Sequence, residues 1–551
     1  MNKYVWRNLI QSFILLFLLT ACGAKILGGG AINLRTGQML GEPLSGLGYC
    51  YNGRSGETDA NGGFQYIDGE TIRFYIGDIL IGQTTAAPGI SLFDLAGIAP
   101  PVSGMDIRRD VNRINSSHTP TGLEQVMNTS VFLQTLDEDG NPANGIQIPD
   151  KIHQLAKGVN IDFKQDFRKF AADIDFRNLL ASCRSAGVWG GSREIVNPFY
   201  ALDHLYGSLG LTPLIKVAIR IHVDADGNGT PDYIEMYAYD TKGNLILDAL
   251  DNDLDGKADD QWTRAYDTNG NLILTESDND GDGRPEWRKT EIYGPNGYRV
   301  IEEFDENADG IVDMRTRHIF DIFGNEKNFE TDSDADGRVD ECKSFSYNAR
   351  GHRTILNSDD NADGAMDSIL TTAYDGKGNL VVLERRKTDD YTIDYREVYR
   401  YDSHNNPIQF EKDADADGTI DEKESYTYAY DVNGYLTLYE LDEDADGTVD
   451  VRERYACDRY GNLTFVERDN SADGLADNRE MTAYDAMGNK IRWEMDNHAD
   501  GVIDVRETYS YDESGNLVLY EKRNLRDGSV EQKHLSYTPI NAWAAAFTLI
   551  Y

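Results

Sequence analysis

Thr508-Tyr-Ser-Tyr511, Asp512-Glu-Ser-Gly515-Asn516 and Leu517-Val-Leu-Tyr520 decide the reading of the fold. Apolar and aromatic residues alternate along two short runs, and a turn with aspartate at its start and a glycine for the left-handed position lies between them. The product is a hairpin. Directly before it stands Asp496-Asn-His-Ala-Asp-Gly-Val-Ile-Asp504, an acidic loop with glycine at its sixth position.

The unit of loop plus hairpin recurs. Its loops begin at Asp224, Asp251, Asp278, Asp305, Asp332, Asp359, Arg386, Asp413, Asp442, Asp469, Asp496 and Arg523, 27 residues apart except for the 29 residues from Asp413 to Asp442. A fixed period over so long a stretch marks a repeat array. The two extra residues fall in Ser425-Tyr-Thr-Tyr-Ala-Tyr430, where an insertion of two preserves the faces of a strand. The same insertion would turn a helix out of register by roughly 200°.

The hairpin half resembles the YD repeat of RHS-type proteins, with Tyr239-Asp240, Tyr266-Asp267, Tyr374-Asp375, Tyr484-Asp485 and Tyr511-Asp512 matching the name-giving pair. The 27-residue period and the inserted acidic loop depart from that family. The resemblance implies a ribbon of sequential hairpins. The expected fold is mainly β with a small α domain: a β-sandwich-like domain, a helical domain, then a long β-hairpin array forming a solenoid or twisted ribbon.

The acidic loop carries the chemistry. Calcium takes six to eight oxygens, and carboxylates at positions 1, 3, 5 and 9 with glycine at 6 wrap a chain around it. Asp224, Asp226, Asn228 and Asp232 fit, with Glu235 at position 12. So do Asp413, Asp415, Asp417, Asp421 and Glu424, and Asp442, Asp444, Asp446, Asp450 and Glu453. Asp469, Ser471, Asp473, Asp477 and Glu480 follow, then Asp496, Asp500, Asp504 and Glu507. These five loops resemble EF-hand or dockerin-type calcium loops. Five more resemble thrombospondin type-3 loops and lack the twelfth glutamate: Asp251, Asp253, Asp255 and Asp259; Asp278, Asp280 and Asp282; Asp305, Asn307, Asp309 and Asp313; Asp332, Asp334, Asp336 and Asp340; and Asp359, Asn361, Asp363 and Asp367. They have Trp262, Lys289, Thr316, Lys343 and Leu370 at that place, and weaker binding is expected of them. The loops at Arg386 and Arg523 have lost the first ligand and are read as non-binding. Solvated acidic turns are the competing reading of any one charge run, but ten loops in one register favour Ca2+ with a structural role.

Charge narrows the partners. With 53 Lys+Arg against 95 Asp+Glu the formal charge is −42. This excludes a basic footprint for nucleic acid and opposes docking on anionic lipid through side chains.

Lys3 and Arg7 precede an apolar run from Leu9 to Ala21, which reads as a signal peptide over residues 1–21. Leu19-Thr20-Ala21-Cys22 resembles the lipobox of bacterial lipoproteins. That resemblance implies a lipid on Cys22, export, and a membrane partner, with outer-membrane sorting because Gly23 rather than Asp follows. Residues 22–30 are then a tether.

Residues 31–104 show strands and Asn/Asp-Gly turns, and Ser55-Gly-Glu-Thr-Asp-Ala-Asn-Gly-Gly-Phe-Gln-Tyr66 resembles transthyretin-like or carboxypeptidase-regulatory-like β-sandwiches. Asp59 and Asn61 are expected in a turn. Residues 105–217 switch to helical spacing, with a capping box at Thr121 and Glu124 and an N-cap at Asn197 before Pro198. Asp137, Asp139 and Asn141 have ligand spacing, but Pro142 favours a turn. Residues 218–551 hold the twelve repeats. Export permits a disulfide, for which Cys50 and Cys183 are the pair left open.

No nucleophile elbow, phosphate-cradling loop or His/Cys zinc cluster stands out, and the chain is read as no enzyme. The expected function is a lipid-anchored, calcium-binding structural or adhesive envelope protein. The alternatives are a polysaccharide-binding surface protein, with Trp262, Trp287 and Trp493 as contacts, or a carbohydrate-active enzyme with its cleft between helical domain and array.

Overall fold

Twenty-four strands from Ile215–Asp224 to Val530–Ile540 pair in chain order, each antiparallel to the next, and the last pairs with the first. The structure is a computed structural model describing residues 33–41, 43–116, 120–190, 193–295, 297–388 and 392–547. The signal peptide, tether and Cys22 lie outside the described residues.

The array is therefore a closed β-barrel, and the expected solenoid or twisted ribbon is corrected. An open ribbon would leave the N–H and C=O groups of two edge strands unpaired. Here Val223 pairs with Lys533, Ile221 with Leu535 and Ile215 with Ile540, with one register shift between Ala218 and Arg220. At about 4.8 Å per strand the ring is on the order of 40 Å across, too wide for side chains to fill. Buried apolar residues of the array gather instead at the seam, where Ala218, Ile221, Val223, Leu517 and Leu535 form one cluster with Tyr509, Tyr520 and Tyr537 packed on it.

Each hairpin is pinned at its turn. Asp512 Oδ1 accepts from the N–H groups of Ser514 and Asn516, each at 2.9 Å, while Gly515 sits at φ 79°. The same Asx turn recurs at Asp240, Asp267, Asp375 and Asp485. The two inserted residues lengthen the strand Glu422–Tyr430 to nine residues where most others have seven, and Glu424, Tyr426 and Tyr428 keep to one face.

The two faces differ. One carries tyrosines and the twelfth-position residues. The other carries cross-strand ion pairs: Arg288 with Glu276, Arg315 with Glu303, Arg452 with Glu440, Arg479 with Glu467 and Arg506 with Glu494 stand opposite one another, with contacts of 2.6–2.8 Å. Such opposed pairs contribute roughly 0.2–1 kcal/mol each.

The described residues divide into two compact units. Residues 101–119 group with the barrel, so the helix Gly104–Ser116 belongs to it by contacts. The other unit holds the remaining residues up to Leu211. It contains a four-stranded sheet, a three-stranded sheet and a two-stranded parallel pair, together with capped helices. Thr121 and Glu124 close a reciprocal capping box on Gly122–Leu136, and Asn197 caps Pro198–Ser208. Phe132, Phe163, Phe170 and Phe176 pack ring on ring. Cys50 and Cys183 are both buried and are not joined in the disulfide that the sequence left open.

Candidate metal centres

The loop Asp442–Asp450 shows how the repeat folds its acidic segment. Asp442 ends one strand, and its two oxygens accept from Asp446 N–H at 3.1 Å and Gly447 N–H at 3.0 Å. Asp446 accepts from Thr448 N–H at 2.7 Å. Gly447 at φ 94° turns the chain where a side chain would be strained, and Ala445 before it is also left-handed at 52°. The loop is closed at its ninth residue. Asp450 N–H donates to Leu441 O at 2.8 Å, and its carboxylate accepts from Glu443 N–H at 2.7 Å.

All ten loops repeat this closure. The second residue's N–H meets the ninth residue's carboxylate at 2.6–2.7 Å in every one. Carboxylates crowd together as a result. Oxygens of Asp224, Asp226 and Asp232 lie within 4.8 Å of one another, as do those of Asp413, Asp415 and Asp421. So do those of Asp251, Asp253 and Asp255, and of Asp332, Asp334 and Asp336. Asp278, Asp280 and Asp282 are joined by Glu286.

Glu286 was missed in the sequence because it replaces aspartate in the ninth place; the carboxylate spacing alone could have found it. The donor set is all oxygen, which suits a hard cation such as calcium rather than zinc or copper. Partial burial alone would raise Asp224, but the N–H groups of Gly229 and Asn228 outweigh it and hold the carboxyl below its usual range. The Asp224 carboxylate is thus kept ionised.

The twelfth-position residues are placed elsewhere. They lie in the following strand, on the tyrosine-bearing face. Glu235 accepts from Tyr237 Oη at 2.9 Å, and Glu424, Glu453 and Glu507 accept from Tyr426, Tyr455 and Tyr509. Glu480 accepts from Trp493 Nε1 at 3.0 Å. The loops without a glutamate there use the position in the same way: Lys289 Nζ lies 2.6 Å from both Glu291 and Glu302, and Thr316 donates to Glu302 at 3.3 Å. Strand alternation explains this, because three residues past the ninth the side chain stands on the sheet face. The ninth residue, common to both sets of loops, is the one that closes them.

Asp59 accepts from the N–H groups of Asn61 and Gly63 in a turn, and Asp137 and Asp139 both accept from Asn141 N–H. His153 bridges Gly46 O and Gly77 N–H. Trp262 and Trp287 pack against each other with ring centroids 5.7 Å apart. At Arg386 the segment 389–391 lies outside the described residues.

No protein-family model matches the chain, and no curated protein matches it. Among solved structures, TcdB2-TccC3-Cdc42 is similar at 15% identity and a TM-score of 0.28, over 58% of this chain and 20% of that one. The chain thus spans about a fifth of that protein's length. A porin-like protein from Bacteroides uniformis is similar at 14% identity and a TM-score of 0.19, over 47% of this chain and 94% of that one. A porin-like protein from Bacteroides vulgatus has 11% identity and a TM-score of 0.13, over 59% and 99%. Likenesses this slight decide nothing about this chain.

Proposed function

We propose that this chain is a lipid-anchored, calcium-binding structural or adhesive protein of the bacterial cell envelope, whose barrel is stiffened by cations held in its acidic loops. The observation that carries the reading is the shared ninth-residue closure of ten acidic loops, nine of them with oxygen donors at every early ligand position, and at least five of which bring three or four carboxylates within 4.8 Å. Without a cation, such crowding opposes the ordered loop. A cation that binds only the folded state stabilises it by RT ln(1 + [L]/Kd), about 1.4 kcal/mol per site at ten times Kd.

The anchor is the lipid on Cys22, and the barrel itself stands outside the bilayer. Transmembrane strands need about 9–11 residues and one apolar face. Most strands here have seven residues. One face bears the Arg–Glu pairs and the other bears ionisable side chains such as Lys289, Glu302 and Glu453. The role is mechanical and non-catalytic.

Two measurements test it. Calorimetric titration with calcium should show multiple sites and a melting temperature that falls on chelation; a chain that binds no calcium overturns the reading. Fatty-acid labelling should be abolished by Cys22→Ser, and persistent labelling with membrane retention removes the anchor.

A further inference from the structure

The barrel unit holds a cavity of about 610 Å³ beside its seam, covered by the helices Gly104–Ser116 and Trp543–Phe547. That volume is in the range of ligand sites. Its walls combine three kinds of group. Tyr509, Tyr511, Tyr520 and Tyr537 give aromatic surface. Arg108, Lys490 and Lys533 bring positive charge. Glu507 and Glu531 supply acceptors.

In a chain with a formal charge of −42, cations gathered on one cavity are notable. Arg108 and Lys490 are also loosely engaged. Arg108 makes a 3.5 Å contact to Asn516 Oδ1 and, among the described residues, pairs with no carboxylate. Lys490 Nζ is 3.8 Å from Glu507 and 4.6 Å from the Tyr509 ring centre. Lys533 Nζ is 3.7 Å from Glu235 and 3.8 Å from Glu531. Lys216, by contrast, is committed to Asp512 at 3.1 Å. Burial pushes the Tyr537 phenol up to about 12, with the charge of Arg108 acting against it, so the hydroxyl stays a neutral donor beside the guanidinium.

We propose that this cavity binds an acidic oligosaccharide, a sugar chain bearing a carboxylate that Arg108 and Lys490 receive while the tyrosines cover the ring faces. A bare anion would leave the aromatic faces and the Glu507 and Glu531 acceptors unused, and a purely apolar ligand would offer nothing to Arg108. A polyhydroxylated ring with one acid group uses acceptors, donors and aromatic faces together. The site is independent of the acidic loops, and Glu507 belongs to its wall rather than to a loop.

The test is calorimetry on the full chain in calcium-containing buffer, with trigalacturonate, maltotriose and sodium acetate as probes and circular dichroism to confirm folding. Trigalacturonate is expected to bind at least tenfold more tightly than maltotriose or acetate. Arg108→Gln should weaken it at least tenfold without moving the melting temperature. Should Arg108→Gln disturb the fold, Lys490→Gln reads the same loss. Absence of trigalacturonate binding to folded protein, equal affinity for maltotriose or acetate, or unchanged affinity in folded variants overturns the proposal.

Discussion

Arg526 forms an ion pair with Asp504, the ninth residue of the loop that begins at Asp496. The Asp504 side chain is 2% exposed. The same guanidinium lies 4.0 Å from Asp500 and 3.0 Å from His498 Nδ1, and His498 stands at the third position, where the other nine loops have an oxygen ligand. This loop holds its counter-charge already. Wild-type protein should therefore show one fewer tight calcium site than Arg526→Gln when both are counted by equilibrium dialysis. An equal count would show that the arginine does not compete.

The ninth and twelfth positions should separate cleanly. Asp450→Asn removes the carboxylate that closes its loop and should weaken that site at least tenfold. Glu453→Gln alters a residue bonded to Tyr455 on the strand and should change affinity less than threefold. Site-resolved calcium titration of the two variants decides, and the reverse ranking would restore the twelfth residue as a ligand.

Chelation should loosen the barrel while leaving the other unit folded. Hydrogen exchange with and without chelator should lose protection over residues 224–504 and keep it in Gly122–Leu136. Unchanged protection across the loops would mean that they are acidic turns alone.

Eight loops spend backbone strain at their fourth residue, one of them at Leu254 with φ 63°. Ala308, Ala335, Ala362, Ala416, Ala445, Ala472 and Ala499 lie at φ of 46–55°. A left-handed alanine costs about 1–2 kcal/mol, and glycine gives back roughly 0.4–1 kcal/mol through its freer unfolded chain. Ala445→Gly should accordingly stabilise the calcium-free protein by about 0.5–1 kcal/mol in denaturant unfolding, and a loss of stability would contradict the strain.

Acid should destabilise the calcium-free barrel. Backbone and side-chain amide bonds from Asn379 hold Asp375 below the usual carboxylate range, and Arg479 and Arg454 do the same for Glu467. Groups with lowered folded values stabilise fully above their unfolded values, near about 4, and lose that contribution as pH falls through the folded ones. The melting temperature should be level from about pH 7 to 5 and drop below about 4. A maximum in acid would refute this.

The repeat unit was legible because its determinants are local. Tyr-Asp-x-x-Gly-Asn closes a turn by bonds spanning four residues, and the acidic loop closes by a bond spanning seven, as between Glu443 and Asp450. The ion-pair row is local as well, since Glu276 and Arg288 recur twelve residues apart as Glu303 and Arg315. The fate of Glu453 depended on which strand face it joins, a property of pairing rather than of spacing. Closure lay further from the sequence. It depends on small rotations between neighbouring strands that accumulate over twenty-four of them until Ile215 meets Ile540. No single repeat encodes that sum, so the hairpins and the loop register belong to the sequence, while the closed seam and the cavity beside it were decided by tertiary structure.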